Sequence, residues 1–112
     1  MLKKNGFNPV LYEKESHCGK NRHGDFEGLE SWNLHPDPVL YLRNLCIMPT
    51  FSYTPFNRFD VHIPGKESIS IESPEPFFNI VSRGDQPGDI DYELQKQAQD
   101  CNIKIHFNTK ID

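Results

Sequence analysis

The segment Asn5 to Glu13, NGFNPVLYE, contains the strongest indication of the fold. Asn5-Gly6 is typical of the end of a helix, because both residue types tolerate the left-handed backbone conformation that a helix C-terminus needs. Pro9 to Tyr12 predicts a short buried strand with its proline at the first position, and Glu13 ends that strand with a carboxylate. A helix end, a glycine, an apolar strand and a terminal acid are typical of the second half of a βαβ unit that binds dinucleotides.

The composition excludes several classes of protein. The chain has 112 residues and a net charge of −4, so it lacks the basic surface that nucleic-acid binding requires. No apolar run approaches the roughly 20 residues of a membrane span, and no signal peptide is recognised. Three cysteines form an odd and widely spaced set, which argues against a disulfide framework and predicts a reducing, cytoplasmic setting.

Two helical segments are expected before residue 50. The polar stretch 14–35 has three large apolar residues at helical spacing, which predicts one or two helical turns from about Asp25; these residues are Phe26, Leu29 and Trp32. Asp37 then offers an N-cap and Pro38 a first helical position. Pro49 is expected to end this helix.

Between Phe51 and Val81 the sequence pattern is typical of β-strands. RFDVHI, the turn PGKE and SISIE predict a hairpin with alternating side chains, and PFFNIVSR predicts a further strand that ends at Arg83. After a turn, Asp89 can cap a helix over 90–100. The expected inner face of this helix is Ile90, Leu94, Ala98 and Cys101.

The end of the chain returns to an α/β pattern. Asn102 suits a left-handed helix stop, and the strand IKIHF follows it. The fold class is therefore α/β, interrupted by a β region with a more antiparallel character.

Candidate chemical residues are few, and each has a structural alternative. Glu13 could hydrogen-bond the ribose of a dinucleotide, or it could be a solvated acid. Cys18 lies near His17 and His23, but a structural zinc site needs four ligands, commonly as paired short spacings. No base and oxyanion hole are recognisable for Cys18 as a nucleophile.

Arg83 stands where a strand meets a turn, a place from which a guanidinium can reach an anion. It could equally be an ordinary arginine at a strand end. Six aromatic residues of the β region could line an apolar pocket or simply form core: Phe51, Tyr53, Phe56, Phe59, Phe77 and Phe78.

Three stretches together resemble FAD-dependent oxidoreductases, with the geranylgeranyl reductase and aromatic-hydroxylase-like flavoproteins as the nearest families. These stretches are NGFNPVLYEKE, CGKNRHGDFEGLESW and IVSRGDQPGDIDYELQKQAQDCNIKIHFNTKI. Their shared features are a strand-end Glu-Lys, a Gly-Asp-Phe-x-Gly loop that ends in tryptophan, and an arginine followed by Asp-x-x-Leu-x-x-x-Ala. The match covers most of the chain in the expected order and is weakest in the β region.

The resemblance implies a set of cofactor-binding residues. Glu13 would hold the ribose of the FAD adenosine, with Lys14 beside the adenine end. Gly19 and Gly24 would lie in a loop that runs close to the flavin. Arg83 would approach the cofactor, and Ile111 would touch adenine through its backbone.

The resemblance also implies the division of the chain. Residues 1–50 and 84–112 would be parts of a Rossmann-type FAD-binding domain, and residues 51–83 part of an antiparallel substrate-domain sheet. Family members begin with a strand and a G-x-G-x-x-G turn, and the printed sequence contains neither. We therefore expect an incomplete FAD-binding domain, an internal piece that begins at a methionine within the first helix.

The implied activity is redox chemistry on an apolar substrate, either reduction of an isoprenoid alkene or hydroxylation of an aromatic ring. FAD would be the cofactor and NAD(P)H one candidate electron donor, while no catalytic residue is identified. We expect the isolated chain to be inactive. Two alternatives stay open: a small non-catalytic interaction domain, and one half of a split flavoprotein whose glycine loop comes from a complementary chain.

Overall fold

The computed structural model describes residues 1–30 and 37–111 of the chain. Within these ranges the backbone forms two α-helices and seven strands. The helices are α1 (Pro38–Asn44) and α2 (Ile90–Asp100). The strands are β1 (Val10–Tyr12), β2 (Phe26–Leu29), β3 (Tyr53–Phe56), β4 (Arg58–Val61), β5 (Ile69–Glu72), β6 (Phe78–Ser82) and β7 (Lys104–His106). The predicted mixed α/β class is confirmed at this level.

Strand β1 is parallel to β7, although more than ninety residues separate them in the sequence. The register aligns Leu11 with Ile105. The strand predicted at Pro9 to Tyr12 is therefore present over Val10–Tyr12, but the prediction that it is buried is wrong, because all three of its residues are exposed. The expected stop before it is also present, because Gly6 has a φ of 84° after a short 3₁₀ turn, Lys3–Asn5.

Strands β2, β6 and β3 form an antiparallel sheet with β6 in the centre. The prediction of helical turns from about Asp25 is wrong, because Phe26–Leu29 pairs along Asn79–Ser82. Phe26 and Leu29 are three residues apart, which puts them on one face of a helix but on opposite faces of a strand, and pairing with β6 decides for the strand. Trp32, the third residue of that pattern, lies outside the described residues.

Strands β4 and β5 form the predicted hairpin, with Phe59 aligned with Ile71. Both strands are exposed along their length. Phe59 contacts Phe77 edge to face, with 5.1 Å between ring centroids. The hairpin therefore has one aromatic contact with the segment that leads into β6.

Helix α1 begins as the sequence predicts. Asp37 Oδ1 accepts hydrogen bonds from the backbone N–H groups of Val39 and Leu40, and Pro38 occupies the first turn. The helix ends at Asn44 rather than near Pro49. Cys46 adopts a left-handed φ of 60°, which turns the chain away earlier than the proline does.

Helix α2 covers the predicted residues and is followed by Asn102 in the predicted left-handed conformation, with a φ of 54°. Its expected inner face is only partly covered, because Leu94 is 38% exposed and Cys101 is exposed. None of the residues of α2 is buried.

Polar contacts hold α2 instead. Gln97 Nε2 donates to the carbonyl oxygen of Met48 at 2.6 Å, and the Met48 N–H donates to Gln97 Oε1 at 2.9 Å. Thr50 Oγ1 donates to Glu93 Oε2 at 2.7 Å. The segment after α1 is thereby attached to the side of α2 by hydrogen bonds.

The buried core of the described residues is thin. The apolar residues within it are Val39, Phe51 and Val81. The radius of gyration is 17.4 Å, whereas a compact chain of this length would have about 13 Å. The large radius of gyration means that the molecule is elongated, and the thin core leaves much apolar surface exposed.

No helix in 1–30 or 37–111 has the length and apolar character to cross a membrane.

Candidate functional site

The carboxyl ends of β1 and β7 lie at the same edge of their parallel pair. The Glu13 N–H donates to the carbonyl oxygen of His106 at 2.9 Å, which extends the ladder by one residue. The Thr109 N–H then donates to the Glu13 carbonyl oxygen, and the Asn108 N–H to that of Glu15, each at 2.9 Å. The segments that follow the two strands are therefore bound to one another.

Glu13 presents a carboxylate at this edge. Its Oε1 accepts a hydrogen bond from the Glu15 N–H at 2.9 Å, which fixes the side chain, and the residue is half-buried. Its Oε2 accepts no hydrogen bond from any residue in 1–30 or 37–111. One oxygen is thus positioned and the other is available to a hydroxyl group.

Lys14 and Ile111 follow this edge closely in the sequence. Lys14 directly follows Glu13 and is exposed, and Ile111 is 63% exposed two residues beyond Thr109. Of the six residues that the sequence suggests, the structure places Lys14 beside Glu13 in the chain and Ile111 two residues after Thr109, whose N–H binds the Glu13 carbonyl oxygen.

Gly19 lies against the beginning of α2. A Cβ added there would overlap the Gly84 carbonyl and stand 2.8 Å from Asp91 Cβ, and the φ of +75° is left-handed. A glycine is needed here because the polypeptide itself approaches closely, whereas the close approach to a flavin stays a prediction. Gly24 has a φ of +89° with open space around its Cβ position, so its left-handed turn, rather than a close contact within the described residues, favours glycine there.

Arg83 binds two carboxylates. Its Nε and Nη2 donate to Asp91 Oδ2 and Oδ1, both at 2.7 Å, and its Nη1 donates to Glu27. The Gly84 N–H also donates to Asp91 Oδ2, at 3.1 Å. Arg83 thus joins β2, β6 and α2, and an anionic cofactor would have to compete with these carboxylates.

The electrostatics of this pair follow from its geometry. The hydrogen bonds from Arg83 hold the pKa of Asp91 below its ordinary value, against the opposing effect of burial. In return, the hydrogen bond to Asp91 raises the pKa of Arg83. The side chains are 24% and 16% exposed, so solvent screens the pair only in part.

Asp89 is a second acid in the same turn and is only 7% exposed. It occupies the N-cap position of α2, as predicted, but its side chain makes no capping bond to the helix. It accepts hydrogen bonds from Ser82 Oγ at 2.5 Å and from the Gln86 N–H at 3.0 Å. The carboxylate therefore closes the turn that leads from β6 into α2.

Cys18 lies between the edge and the Arg83–Asp91 pair. Burial raises the pKa of its thiol, and the nearby carboxylates of Glu13 and Asp91 raise it further. Its N–H donates to Gln95 Oε1 at 2.8 Å. A thiol in this environment is mostly protonated at neutral pH, so it is a poor nucleophile.

His17 takes part in a hydrogen-bonded pair rather than a metal site. Its Nε2 lies 2.7 Å from Asp85 Oδ2, and its Nδ1 lies 3.0 Å from Ser16 Oγ. Hydrogen bonds from Gln86 and His17 lower the pKa of Asp85. Within the described part of the chain, no group of three or more His, Cys, Asp or Glu residues could hold a metal ion.

Sequence reasoning did not identify Glu27 and Asp91 as the partners of Arg83, because these two residues belong to other elements, β2 and α2. The Asp-x-x-Leu pattern drew attention to Asp91 only as a family feature. No protein-family model, curated protein or solved structure matches this chain.

Proposed function

We propose that this chain forms the adenosine-binding edge of an FAD-dependent oxidoreductase. The observation that supports the proposal is the parallel pair β1 and β7 with Glu13 at its carboxyl edge. In open α/β sheets, ligands bind outside the carboxyl ends of the strands. A carboxylate in that position is suited to accept hydrogen bonds from ribose hydroxyls.

The described residues fit the adenosine half of the cofactor. Glu13 has one oxygen held by the Glu15 N–H, and its second oxygen makes no hydrogen bond in the described part of the chain. Lys14 and the backbone at Ile111 would flank the adenine. The other three suggested residues act on the loop between β1 and β2. Gly19 and Gly24 allow its turns, and Gly19 and Arg83 contact the start of α2.

The pyrophosphate needs groups that the printed sequence does not contain. It has no G-x-G-x-x-G motif, so the amide cradle at a helix N-terminus must come from another segment or from a complementary chain. The flavin would supply the redox chemistry, with NAD(P)H as one candidate electron donor. The proposed substrate is apolar, an isoprenoid alkene or an aromatic ring, and a cytoplasmic setting agrees with three free cysteines.

The experiment is a titration of the purified chain with FAD and with ADP, followed by amide chemical shifts. The proposal predicts weak, saturable changes at Glu13, Lys14 and Ile111 for both ligands. A polypeptide that carries a strand and a glycine loop should tighten the binding of FAD. An absence of saturable changes at this edge, with and without that polypeptide, would contradict the proposal.

A specific observation favours the alternative of a non-catalytic interaction domain. Val10, Leu11 and Tyr12 of β1 are each more than 40% exposed. Purely parallel sheets are normally covered on both faces, so this pair is expected to meet another polypeptide. Cooperative unfolding of the chain alone, without any response to FAD or ADP, would support this alternative.

A further inference from the structure

A cavity of about 500 Å³ lies between the start of α1 and strands β3 and β6. Its walls include the aromatic rings of Tyr53, Phe77 and Phe78. Phe78 stacks on Phe56 with 5.3 Å between ring centroids, and Phe77 meets Phe59 edge to face. Two of the three lining rings are thus packed against other aromatic rings, and the volume of the cavity suits a small organic molecule.

One polar side chain in the wall is almost completely buried. Asn79, in the central strand β6, is 6% exposed and lines the cavity. Its amide makes no side-chain hydrogen bond with any residue of the described ranges. No buried side-chain nitrogen or oxygen of the described residues lacks a hydrogen-bond partner, so the amide of Asn79 still reaches solvent, where a polar group of a ligand would hydrogen-bond it.

The charges at the cavity are negative. Asp37 and Glu75 line it, and none of the described lining residues is Lys, Arg or His. Oδ1 of Asp37 serves the backbone of α1, while its Oδ2 has no hydrogen-bond partner among the described residues. Aromatic faces also attract cations, through the negative potential above the ring.

We propose that this cavity binds a small organic ammonium compound. The apolar body of the ligand would lie against Tyr53, Phe77 and Phe78, and the carboxylates of Asp37 and Glu75 would attract its cationic group. A polar group of the ligand would hydrogen-bond the Asn79 amide. This inference is independent of the flavin proposal, because it uses none of the residues at the β1–β7 edge.

The test compares three probes that share a phenyl ring and a short chain: 2-phenylethylammonium, 2-phenylethanol and 3-phenylpropanoate. Amide chemical shifts of the full chain follow each titration. We expect saturable changes around Asn79 and Tyr53 for the ammonium probe, and an affinity about tenfold higher than for the neutral alcohol. The carboxylate probe should bind more weakly still.

Charge-neutral variants separate electrostatics from folding. Asp37→Asn keeps a side chain that can cap α1, and Glu75→Gln changes an exposed residue. The double variant should lose most of the preference for the ammonium probe. A control that removes two acids elsewhere, Glu67→Gln with Asp100→Asn, should keep it. Equal affinities for the ammonium and the alcohol, or no saturable change with the ammonium, would overturn the proposal.

Discussion

Arg83 and Asp91 form a two-point hydrogen-bonded pair, with Nε and Nη2 of the arginine each 2.7 Å from a different oxygen of the carboxylate. Arg83 directly follows β6 and Asp91 lies in the first turn of α2. The pair therefore fixes the direction in which the chain leaves the sheet and enters the helix that precedes β7. Because β7 pairs with β1, the position of the Glu13 edge depends on this contact.

The first prediction concerns the strength of that pair. Asp91→Asn removes the negative charge and one of the two hydrogen-bond acceptors that face the Arg83 guanidinium, and the Arg83 side chain is 24% exposed. We expect the free energy of unfolding in urea to fall by about 1–3 kcal/mol. The exposed pair of Arg22 and Asp25 provides the control, and Asp25→Asn should cost less than about 1 kcal/mol. Equal effects of the two substitutions would contradict this role of Asp91.

The second prediction concerns acid stability. Asp91 and Glu93 both have lowered pKa values, caused mainly by hydrogen bonds from Arg83 and Thr50 respectively. A group with a lowered folded-state pKa stabilises the fold above its ordinary pKa and loses that contribution as the pH falls through the folded-state value. Stability should therefore begin to fall near pH 4.5, the ordinary pKa of glutamate, fall further below pH 3.8, the ordinary pKa of aspartate, and continue to fall at lower pH.

The Asp91→Asn variant tests the assignment of this pH dependence. Its stability should change less between neutral and acid pH than that of the unmodified chain, as measured by urea unfolding across the pH range. An unchanged slope would mean that other carboxylates carry the effect.

The third prediction separates two glycines of the β1–β2 loop. Gly19 and Gly24 both have a left-handed φ, so alanine at either position costs about 1–2 kcal/mol in backbone strain. Gly19→Ala should cost about 1–3 kcal/mol more, because its Cβ would overlap the Gly84 backbone. Thermal or urea unfolding of the two variants measures the difference. Equal losses would show that the loop moves away from α2 without cost.

The fourth prediction concerns the cysteines. Cys18 has a raised thiol pKa and is half-buried, whereas Cys46 and Cys101 are exposed. Iodoacetamide should therefore modify Cys18 last at neutral pH, as followed by mass spectrometry of peptides. Unfolding in urea should remove the difference. Fast modification of Cys18 in the folded chain would contradict the environment described for it.

The sequence predicted correctly those elements whose start and end are specified by residues within or beside the element. Asp37-Pro38 specifies the start of α1, and Ile90 to Asp100 followed by Asn102 specifies α2 with its stop. The hairpin around 62–68 was predicted from alternation and a Pro-Gly turn. These features need no knowledge of the rest of the chain.

Other features depend on partners that the sequence does not reveal. Phe26–Leu29 is a strand because its backbone pairs with β6, although the three-residue spacing of Phe26 and Leu29 suits a helix. The face of α2 around Leu94 was expected to be buried, but the helix is held by the polar side chains of Glu93 and Gln97. Likewise, Arg83 could not be assigned to Asp91 and Glu27 before the three elements were brought together.

The most direct test of the central claim compares ADP binding by the chain and by its Glu13→Gln variant. Glu67→Gln is the matched control, since Glu67 is an exposed acid beside the hairpin turn. A hydrogen bond to a charged group contributes about 1.5–3 kcal/mol, so Glu13→Gln should weaken binding by about tenfold or more while Glu67→Gln leaves it unchanged. Equal ADP affinities for the chain and the Glu13→Gln variant would contradict the assignment of Glu13 as the ribose ligand.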